Sequence, residues 1–571
     1  MKLDEIIPLL GNFGRYQFFV ASCFCIINIL SCLTTLSNVF FAAGTDHWCK
    51  VLPDESCVDW AEFQDNCTEV KKSIFLLPPE KEQSKYMYSN CEQWTPPIGY
   101  TFNPYVTYGD VIDDFNFTKT GCVDGWEYDT SQYITTTVSE FNLVCEEKNW
   151  PGLAQSLYFV GFLVGSVVFG TLSDWIGRKK TAIIGTVFWS VGSITTSYST
   201  NIYMFTAFRF IAAFGNIGTY ISLYILVLEV IGKSWRTAFT MVCGIFFAFG
   251  YFILATSAMY VREWRHLSLV ASLPVAIVFI PLPFMKESIS WLVSKGKIEE
   301  AEETIRRIAK FNKKTLPDVL FTKEDIQEQT DASNSAVPPS VIDLYRTPNM
   351  AAKTINLQYN WVVNSLIYYG LSQSTGDLGV DDYWAFFVSG AVEIPAMIYA
   401  AIAVEKFGRK WNTGILELIG GVACLATIFM SVGIWRTAVS MLGKFCISAT
   451  YSIIYLYSTE IFPTPVRAVG LGVCSVAARV GGILSPVILL LGDVFESLPL
   501  VLFGSSAVLA GLLVFLLPET RGQQLPQTLR EGEEFGKCQC MRKSPDDQIA
   551  IIDMKEGAVT DKKEGAVTAS L

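Results

Sequence analysis

The sequence predicts an all-α membrane protein with twelve transmembrane helices arranged as two halves of six. Composition is the first observation: 51% of the 571 residues are hydrophobic and only 17% are charged, which excludes an ordinary soluble domain. Second, apolar segments of about 20 residues, long enough to cross a bilayer, recur along the chain. Third, a polar insertion at 285–350 divides these segments six and six.

The predicted spans share an interior that is nearly free of charge. They cover 18–41, 151–172, 181–198, 203–229, 237–260, 266–284, 354–371, 384–403, 413–433, 437–460, 468–491 and 498–518. No cleavable signal peptide is expected, because residues 1–17 carry acids and the first apolar run is too long for a signal core. Basic residues are retained on the cytoplasmic side. The basic loops "SDWIGRKK" and "EKFGRK" are therefore expected inside, and both termini with them.

The spans and the insertions between them divide the chain into five parts. A cytoplasmic N-terminus, 1–17, precedes a first half, 18–284, and a second half, 351–520. The linker 285–350 begins with "KIEEAEETIRRIAKFNKK", whose apolar residues recur on one helical face, and it predicts a cytoplasmic helix. The tail 521–571 repeats "KEGAVT" and is expected to be disordered.

Residues 42–150, inside the first half, predict an extracellular domain. They contain 19 Asp or Glu against seven Lys or Arg, an acidic balance that argues against nucleic-acid binding. An even number of cysteines in an oxidising compartment predicts three disulfides, with fifteen pairings open. The cysteines are Cys49, Cys57, Cys67, Cys91, Cys122 and Cys145. Both N-glycosylation sites, at Asn66 and Asn116, fall here, with chance sequons as the alternative.

Two motifs recur in the second half at one offset of 231 residues, which predicts a duplicated six-span unit. The recurring residues are Asp174, Gly177, Arg178, Glu229 and Arg236, which match Glu405, Gly408, Arg409, Glu460 and Arg467. Acid–arginine pairs cost little to break in water and more when enclosed. We therefore expect Asp174 with Arg178 or Arg236, and Glu405 with Arg409 or Arg467, to help hold one end closed while the other opens. Topology determinants and helix caps are the alternative roles.

The quoted loops resemble the signature loops of the major facilitator superfamily. More narrowly, "GCVDGWEYD", "VSEFNLVC", "YNWVVNSLIYYGLS" and "LPETRGQQLP" resemble the organic cation, anion and zwitterion transporters of solute carrier family 22, in order from about residue 3 to 530. A departure is "KESISWL", where that family usually has "PESPRWL". The resemblance implies a major facilitator fold whose central cavity, between the two halves, opens to one side at a time.

Two charges within the spans are candidates for the cavity wall. A charge at mid-membrane costs roughly 2.5–3.5 kcal/mol on insertion scales, so it normally faces protein or water. Arg479 shares a helical face with Gly472 and Ser475, and Glu393 lies beside Ser389. The resemblance implies an acid at 393 in cation and zwitterion carriers, and arginine at 479 in anion and zwitterion carriers. We predict that Arg479 binds a solute carboxylate and Glu393 its amine; a structural Arg479, paired with a neighbouring helix, is the alternative.

Aromatic rings could also bind an ammonium group by cation–π contact, although packing is the alternative role for each. The candidates are Trp361, Tyr368, Tyr369, Phe246, Tyr251, Tyr451 and Tyr455. Three further charges are expected to be structural. Lys444 and Arg209 are expected near the outer surface, and Glu417 near the inner end of its span.

The chemistry of the chain argues against an enzyme. Its two histidines, His47 and His266, are too few and too far apart for a metal cluster or a histidine base, and no cofactor or metal is expected. We expect a plasma-membrane carrier of small organic zwitterions or cations, carnitine-like or betaine-like, that works in the lipid bilayer by alternating access. A coupling ion, Na⁺ or H⁺, is left open. The alternatives are an organic anion exchanger and, from another class, a cell-surface receptor or adhesion partner on a carrier scaffold.

Overall fold

Helices occupy all twelve of the predicted segments. The structure is a computed structural model that describes residues 3–50, 76, 90–95, 118–317, 320, 340–495 and 497–536. Its first part contains α1 (Leu3–Leu10), α2 (Arg15–Leu36), α3 (Asn38–Phe41), α4 (Thr137–Glu140), α5 (Trp150–Ile176), α6 (Arg178–Thr196), α7 (Ile202–Val230), α8 (Lys233–Tyr260) and α9 (Trp264–Ser272). A 3₁₀ segment, Leu273–Phe279, extends α9.

The linker and the second half follow in the predicted order. They contain α10 (Ile289–Ser294), α11 (Ile298–Asn312), α12 (Pro348–Gln373), α13 (Asp382–Phe407), α14 (Lys410–Ala426), α15 (Ile434–Ile461), α16 (Arg467–Leu490), α17 (Leu498–Val514) and α18 (Leu529–Glu534). Shorter 3₁₀ turns lie at Cys145–Glu147, Val341–Leu344, Ser374–Leu378, Thr427–Phe429, Thr464–Val466 and Leu491–Asp493.

Eight helices are long and apolar enough to cross a bilayer, within the described part of the chain. They are α2 with α3, α5, α7, α8, α13, α14, α15 and α16. The other four of the twelve segments differ: α9 and α17 are apolar but shorter, whereas α6 and α12 carry many polar side chains. In α12, Asn360 and Asn364 are fully buried, so this polarity points into protein. The count of twelve crossings stays a prediction for these four helices.

The two halves are built alike and meet symmetrically. In the first half α5 and α6 pack on α7, and α2 packs on α8; in the second half α13 and α14 pack on α15, and α12 packs on α16. Between the halves, α5 contacts α16 and α8 contacts α13. Each of these contacts joins the second helix of one half to the fifth of the other. This equivalence agrees with the duplicated unit predicted from the 231-residue offset.

A small β-structured domain lies between α3 and α5. Strand β1 (His47–Cys49) pairs antiparallel with β4 (Trp126–Tyr128), and β2 (Glu92–Thr95) pairs antiparallel with β3 (Thr118–Gly121). Two disulfides are present among the described residues. Cys49–Cys122 joins β1 to the residue after β3, and Cys91–Cys145 joins the residue before β2 to the 3₁₀ turn that precedes α5. The other two predicted disulfide cysteines, Cys57 and Cys67, lie outside the described residues. The two predicted glycosylation sites, Asn66 and Asn116, also lie outside them. We call this end of the bundle the disulfide end.

The linker helix α11 packs against the first half, as its periodicity predicted. Ala301, Ile305 and Ala309 are buried on one face. At its last residue, the Asn312 amide donates to the Leu10 carbonyl and to Gln17 Oε1, both at 2.8 Å, and its oxygen accepts from the Tyr16 backbone. One side chain therefore joins the linker to α1 and α2.

The tail prediction was wrong for its first sixteen residues. Residues 521–536 are structured, and α18 returns to the start of α12. Glu533 accepts hydrogen bonds from the backbone N–H groups of Asn349 and Met350, while Lys353 donates to the Gly532 carbonyl at 2.9 Å. Backbone donors at the first turn of a helix have no partner within the helix, and a carboxylate satisfies them. The sequence repeat at 555–568 lies outside the described residues.

Replacing Asn312 with alanine should loosen the linker. Losing three hydrogen bonds from one half-buried amide should cost about 2 kcal/mol and lower the apparent melting temperature of the purified protein by about 2–4 °C. Glu299→Ala, on the exposed face of the same helix, is the matched control and should change little. Equal melting temperatures for the two variants would contradict a structural role for the Asn312 contacts.

Candidate functional site

Arg479, on α16, lies where the two halves meet. Its guanidinium is 5.8 Å from the Phe162 ring of the first half. Four tyrosines surround it within electrostatic range; they are Tyr220, Tyr369, Tyr451 and Tyr455. The side chain is partly exposed, and it makes no hydrogen bond or ion pair with any residue that the structure describes. A permanent cation without a partner is stable here only because water reaches it, so Arg479 faces a wet cavity.

Close helix packing fixes where Arg479 projects. Gly481 lies so near α12 that an added Cβ would come within 2.2 Å of the Val362 carbonyl oxygen. Its neighbour Gly482 faces Phe159 of α5 and Tyr369. Because only hydrogen atoms occupy these two positions, α16 sits against both α12 and the first half, and Arg479 is directed along the junction.

Glu393, on α13, is enclosed rather than wet. Its Oε1 lies 3.1 Å from Lys444 Nζ of α15, and both side chains are 1% exposed. Tyr368 donates to the same Oε1 at 2.7 Å. The two opposite charges therefore neutralise each other within the protein. The prediction that Glu393 offers a free charge to a solute amine was wrong in this conformation.

Lys444 was also expected elsewhere, near the outer surface. Instead its ammonium lies 3.7 Å from the centre of the Tyr368 ring and donates to Ser372 Oγ and to the Tyr251 hydroxyl. Tyr251 belongs to the first half, so the ion pair also joins the two halves. The ammonium is buried because it has an anion, three oxygen acceptors and an aromatic face in reach, all supplied by other helices.

Three tyrosines, Tyr368, Tyr369 and Tyr451, separate the two charged groups, and we call them the tyrosine layer. Tyr368 stacks on Tyr451 with ring centres 5.8 Å apart, and the Tyr369 ring stands edge-on to Tyr368 at 5.3 Å. Tyr369 is within electrostatic range of both Arg479 and Glu393. Arg479 and Glu393 therefore lie on two sides of one aromatic partition, and they do not share an open chamber as predicted.

The remaining aromatic candidates divide into cavity and packing residues. Tyr455 is 43% exposed and lies beside Arg479. Trp361 is fully buried behind it, with ring centres 4.2 Å apart, and donates to Ser458 Oγ. Tyr251 is buried against Phe386, and Phe246 packs edge-on to Phe249 among apolar side chains. Only some of the predicted rings can therefore touch a solute.

The sequence contained a signal for two cavity tyrosines that were not predicted. Adding the 231-residue offset to Tyr220 gives Tyr451, and adding it to Tyr224 gives Tyr455. Tyr220 stacks on Tyr224 with ring centres 6.1 Å apart. The repeat thus supplies matching tyrosine pairs from α7 and α15, one on each side of the cavity.

The disulfide end is closed by contacts between the halves. Tyr133 donates to Asp382 Oδ2 at 2.9 Å, Tyr383 donates to the Gln132 carbonyl at 3.0 Å, and Phe40 stacks on Tyr383. Burial, and then the negative charge of Asp382, raises the pKa of the Tyr133 hydroxyl. The hydroxyl therefore stays protonated, and this bond does not depend on pH in the neutral range.

The opposite end, which carries the loops "SDWIGRKK" and "EKFGRK", has its ion pairs inside each half; we call it the basic-loop end. Arg178 lies 3.0 Å from Asp174 and 3.7 Å from Glu229. In the second half, Arg409 lies 2.7 Å from Glu460. Among the residues described at this end, no ion pair joins the two halves.

Three gating residues depart from their predicted pairs. Glu405 is exposed and makes no ion pair with a described residue. Arg236 and Arg467 donate instead to the backbone carbonyls of Ile231 and Phe462, at 3.4 and 3.3 Å. These two bonds again match at the 231-residue offset, and each ends a helix by satisfying its last carbonyl groups.

Two carboxylates at the basic-loop end were missed. Glu287 accepts from the Lys179 N–H at 3.1 Å, and Glu519 accepts from the N–H groups of Arg409 and Lys410 at 2.9 and 3.1 Å. Each caps the helix that follows a glycine with positive φ, Gly177 at 106° or Gly408 at 87°. A second offset, 232 residues, relates "KES" to "PET" and could have identified the pair.

Arg209 and Glu417 are both deeper than predicted. Arg209 is 3% exposed, donates to Gln155 Oε1 at 2.9 Å, and lies 4.5 Å from the centre of the Tyr158 ring. Glu417 is fully buried in the middle of α14, where Asn364 donates to its Oε1 at 2.6 Å. Both side chains are therefore enclosed by protein and do not reach solvent.

The sequence is similar to a family of transporters and to several of its members over most of its length. Residues 115–530 match the family model "Sugar (and other) transporter". "Organic cation transporter protein" of Drosophila melanogaster is 34% identical over 545 residues, covering 94% of this chain and 95% of its own. "Organic cation/carnitine transporter 2" of Homo sapiens is 33% identical, covering 92% and 93%, and human "Solute carrier family 22 member 13" is 32% identical, covering 93% of each.

A solved structure shares the fold at low identity. The partially occluded inward-open conformation of the xylose transporter XylE from E. coli aligns with a TM-score of 0.55 and 14% identity, covering 90% of this chain and 100% of that one. This likeness supports the two-half helical architecture alone.

The Glu393–Lys444 pair should behave as a unit in a double-mutant cycle. Glu393→Gln or Lys444→Met alone leaves one buried charge without a partner, and each should cost about 3–5 kcal/mol. The double variant removes both charges and should recover most of that loss. Thermal unfolding of the purified variants, followed by tryptophan fluorescence, measures the coupling. Losses that simply add would show that the two charges do not interact.

Proposed function

The chain belongs to solute carrier family 22 of the major facilitator superfamily, and we propose that it transports small organic zwitterions that carry a carboxylate and a quaternary or protonated amine. One observation carries the proposal: Arg479 is an unpaired cation in a wet, tyrosine-lined cavity at the junction of the halves. Membership of this family makes the protein a membrane transporter and not an enzyme.

The chemistry of the cavity supports a solute with two ends. A guanidinium binds a carboxylate through two parallel N–H···O bonds, and in a low-dielectric cavity this contact discriminates strongly against solutes that lack an anion. The ammonium end would lie against Tyr451, Tyr455 and Tyr220, where each cation–π contact contributes about 0.5–2 kcal/mol. Glu393 has no role as a direct ligand in this scheme, because Lys444 neutralises it.

The names of relatives agree with such a solute. The human relative is named for organic cations and carnitine, and carnitine has a carboxylate at one end and a quaternary ammonium at the other. A carnitine-like or betaine-like zwitterion is therefore the proposed substrate.

Transport would proceed by alternating access. We propose that the disulfide end is extracellular and the basic-loop end cytoplasmic, in the plasma membrane, since lysine and arginine are retained inside. With this orientation the structure corresponds to a cavity open toward the cytoplasm. Opening the other side requires breaking the Tyr133–Asp382 and Tyr383–Gln132 contacts.

The duplicated ion pairs would act when the basic-loop end closes. Arg178 with Asp174 and Glu229, and Arg409 with Glu460, are 12–19% exposed apart from Asp174 at 77%. Closing that end would exclude water and strengthen them. They join the basic loops to a neighbouring helix within each half.

Organic anion exchange is the second candidate, and one observation favours it. Because Lys444 cancels Glu393, Arg479 supplies the net charge of the site, and a solute with an anion alone could bind. A receptor would differ from both carriers, because it would bind the solute without accumulating it inside the cell.

Uptake of three labelled solutes should separate these functions. In cells expressing the wild type we expect saturable uptake of carnitine, weaker uptake of a plain quaternary amine, and little uptake of a dicarboxylate. Arg479→Ala should reduce carnitine uptake about tenfold to a hundredfold, since it removes a charge-assisted contact, and should spare the plain amine. Carnitine uptake by Arg479→Lys should lie between that of the wild type and that of Arg479→Ala. Lysine keeps the positive charge but cannot form the two parallel hydrogen bonds of a guanidinium.

The matched control for expression is Arg306→Ala on the linker surface. Equal loss of carnitine and amine uptake in Arg479→Ala would contradict the carboxylate role. Dicarboxylate uptake above that of carnitine would favour the anion exchanger, and binding without accumulation would favour the receptor.

Tyr133→Phe should shift the protein toward the state that is open at the disulfide end. One hydrogen bond contributes about 0.5–1.5 kcal/mol, which is a shift of up to about tenfold in that equilibrium. A cysteine introduced at Ser475 should then react faster with an impermeant thiol reagent added outside the cell. Labelling of the native cysteines, measured in the same variant without the Ser475→Cys change, is subtracted. Tyr128→Phe, which removes a hydrogen bond inside the β-structured domain, should have no effect; equal acceleration in both variants would contradict the closing role.

A further inference from the structure

Glu417 is an acidic group inside the second half that the proposed solute site does not use. Its side chain is 0% exposed. Asn364 of α12 donates to Oε1 at 2.6 Å, whereas Oε2 has no hydrogen-bond partner in the part of the chain that the structure describes. The carboxyl group is thus half satisfied in the middle of a helix bundle.

Among the residues that the structure describes, no cation forms an ion pair with Glu417. The ionisable side chains on the helices around Glu417 can be listed by helix. They are Arg436, Lys444, Cys446, Tyr451, Tyr455, Tyr457 and Glu460 of α15; Lys353, Tyr359, Tyr368 and Tyr369 of α12; Asp382, Tyr383, Glu393, Tyr399, Glu405 and Lys406 of α13; and Lys410 and Cys424 of α14 itself, whereas α17 contains none. Lys444 is committed to Glu393, Lys353 is bonded to the Gly532 carbonyl at the helix start, and Lys406 lies exposed at the basic-loop end. An ionised carboxylate without a partner at this depth costs several kcal/mol.

A proton suits this site better than a metal cation does. A hard cation takes about six oxygen ligands. Here the Asn364 oxygen already accepts from Thr450 Oγ1 at 2.7 Å. Among the described side chains of Glu417, Asn364, Asn360 and Thr450, the oxygens without a hydrogen-bond partner are Glu417 Oε2 and Asn360 Oδ1. A proton on Oε2 removes the charge and converts an unsatisfied acceptor into a donor.

The helices that contact Glu417 also form the wall of the solute cavity. On α12, Asn364 bonds to Glu417, and one turn later Tyr368 and Tyr369 contribute to the tyrosine layer. On α15, Thr450 bonds to Asn364, and the next residue, Tyr451, lies beside Arg479. A change in the charge of Glu417 therefore acts on the two helices that position the solute.

We propose that Glu417 binds one proton in the enclosed second half and releases it to water when the halves rearrange, so that solute movement is coupled to proton movement. The proton comes from water on one side of the membrane and returns to water on the other, and no other bond is made or broken. This inference rests on the proposed carrier function and assigns its coupling ion.

The test uses the full chain in liposomes that contain a pH-sensitive dye. In the wild type, adding carnitine should change the internal pH, and a pH gradient of one unit should shift carnitine accumulation by up to tenfold, the driving force of one proton. Glu417→Gln mimics the protonated group. It should keep carnitine counterflow at equal pH and lose both the pH change and the gradient dependence. Glu302→Gln, on the linker surface, is the matched control and should behave as the wild type.

The outcomes separate the two proposals. Wild-type counterflow without proton movement, or a Glu417→Gln variant that keeps its gradient dependence, overturns the proton site and leaves the carrier intact. Absence of counterflow in the wild type overturns the carrier. Uptake driven by a sodium gradient at equal pH, and lost in Glu417→Gln, would overturn the proton assignment in favour of sodium.

A second measurement does not depend on the variant being active. Infrared difference spectra of the wild type, recorded with and without carnitine, should contain the band of a protonated carboxyl group that changes on binding. That band should be missing in Glu417→Gln. Its persistence in the variant would overturn the assignment to Glu417.

Discussion

The cost of a charge in a low-dielectric interior governs this structure. The charged groups within the bundle are stabilised in different ways. Arg479 is partly exposed to water, Glu393 and Lys444 form an ion pair, and Arg209 donates to Gln155 and lies over the Tyr158 ring. A carrier must satisfy this constraint in every conformation through which it passes. Glu393 and Lys444 neutralise each other within the interface between the halves. In the proposed function, Arg479 is therefore the charge that a bound solute would neutralise.

Duplication explains much of the geometry. Arg178 and Arg409 donate to carbonyls five residues before them, Arg236 and Arg467 do the same, and tyrosines from α7 and α15 face one cavity. Equivalent residues in two halves meet across an approximate two-fold axis, which produces a pocket with similar walls. Specificity for an asymmetric solute then depends on residues that break the repeat. Arg479 is one of these.

The helical segments, the duplication and the Asp174–Arg178 pair at the basic-loop end could be predicted from the sequence, because each depends on local spacing or on a repeated offset. The partners of Lys444, Glu393 and Glu417 could not, because they depend on the rotation of each helix about its axis. A few tens of degrees decide whether Lys444 points to lipid headgroups or to Glu393. The exposure of Tyr455 beside a fully buried Trp361 depends on the same rotation.

In its described residues, the β-structured domain is anchored to the first half by two arginines. Arg262, in the turn after α8, donates to the Gln132 carbonyl, and Arg265, in the first turn of α9, lies 2.5 Å from Glu140. Its described hydrogen bonds to the second half are those of Tyr133 with Asp382 and of Tyr383 with Gln132. If transport follows the proposed alternating access, the domain moves together with the first half, and a molecule that bridged it to α13 would arrest the cycle without entering the cavity.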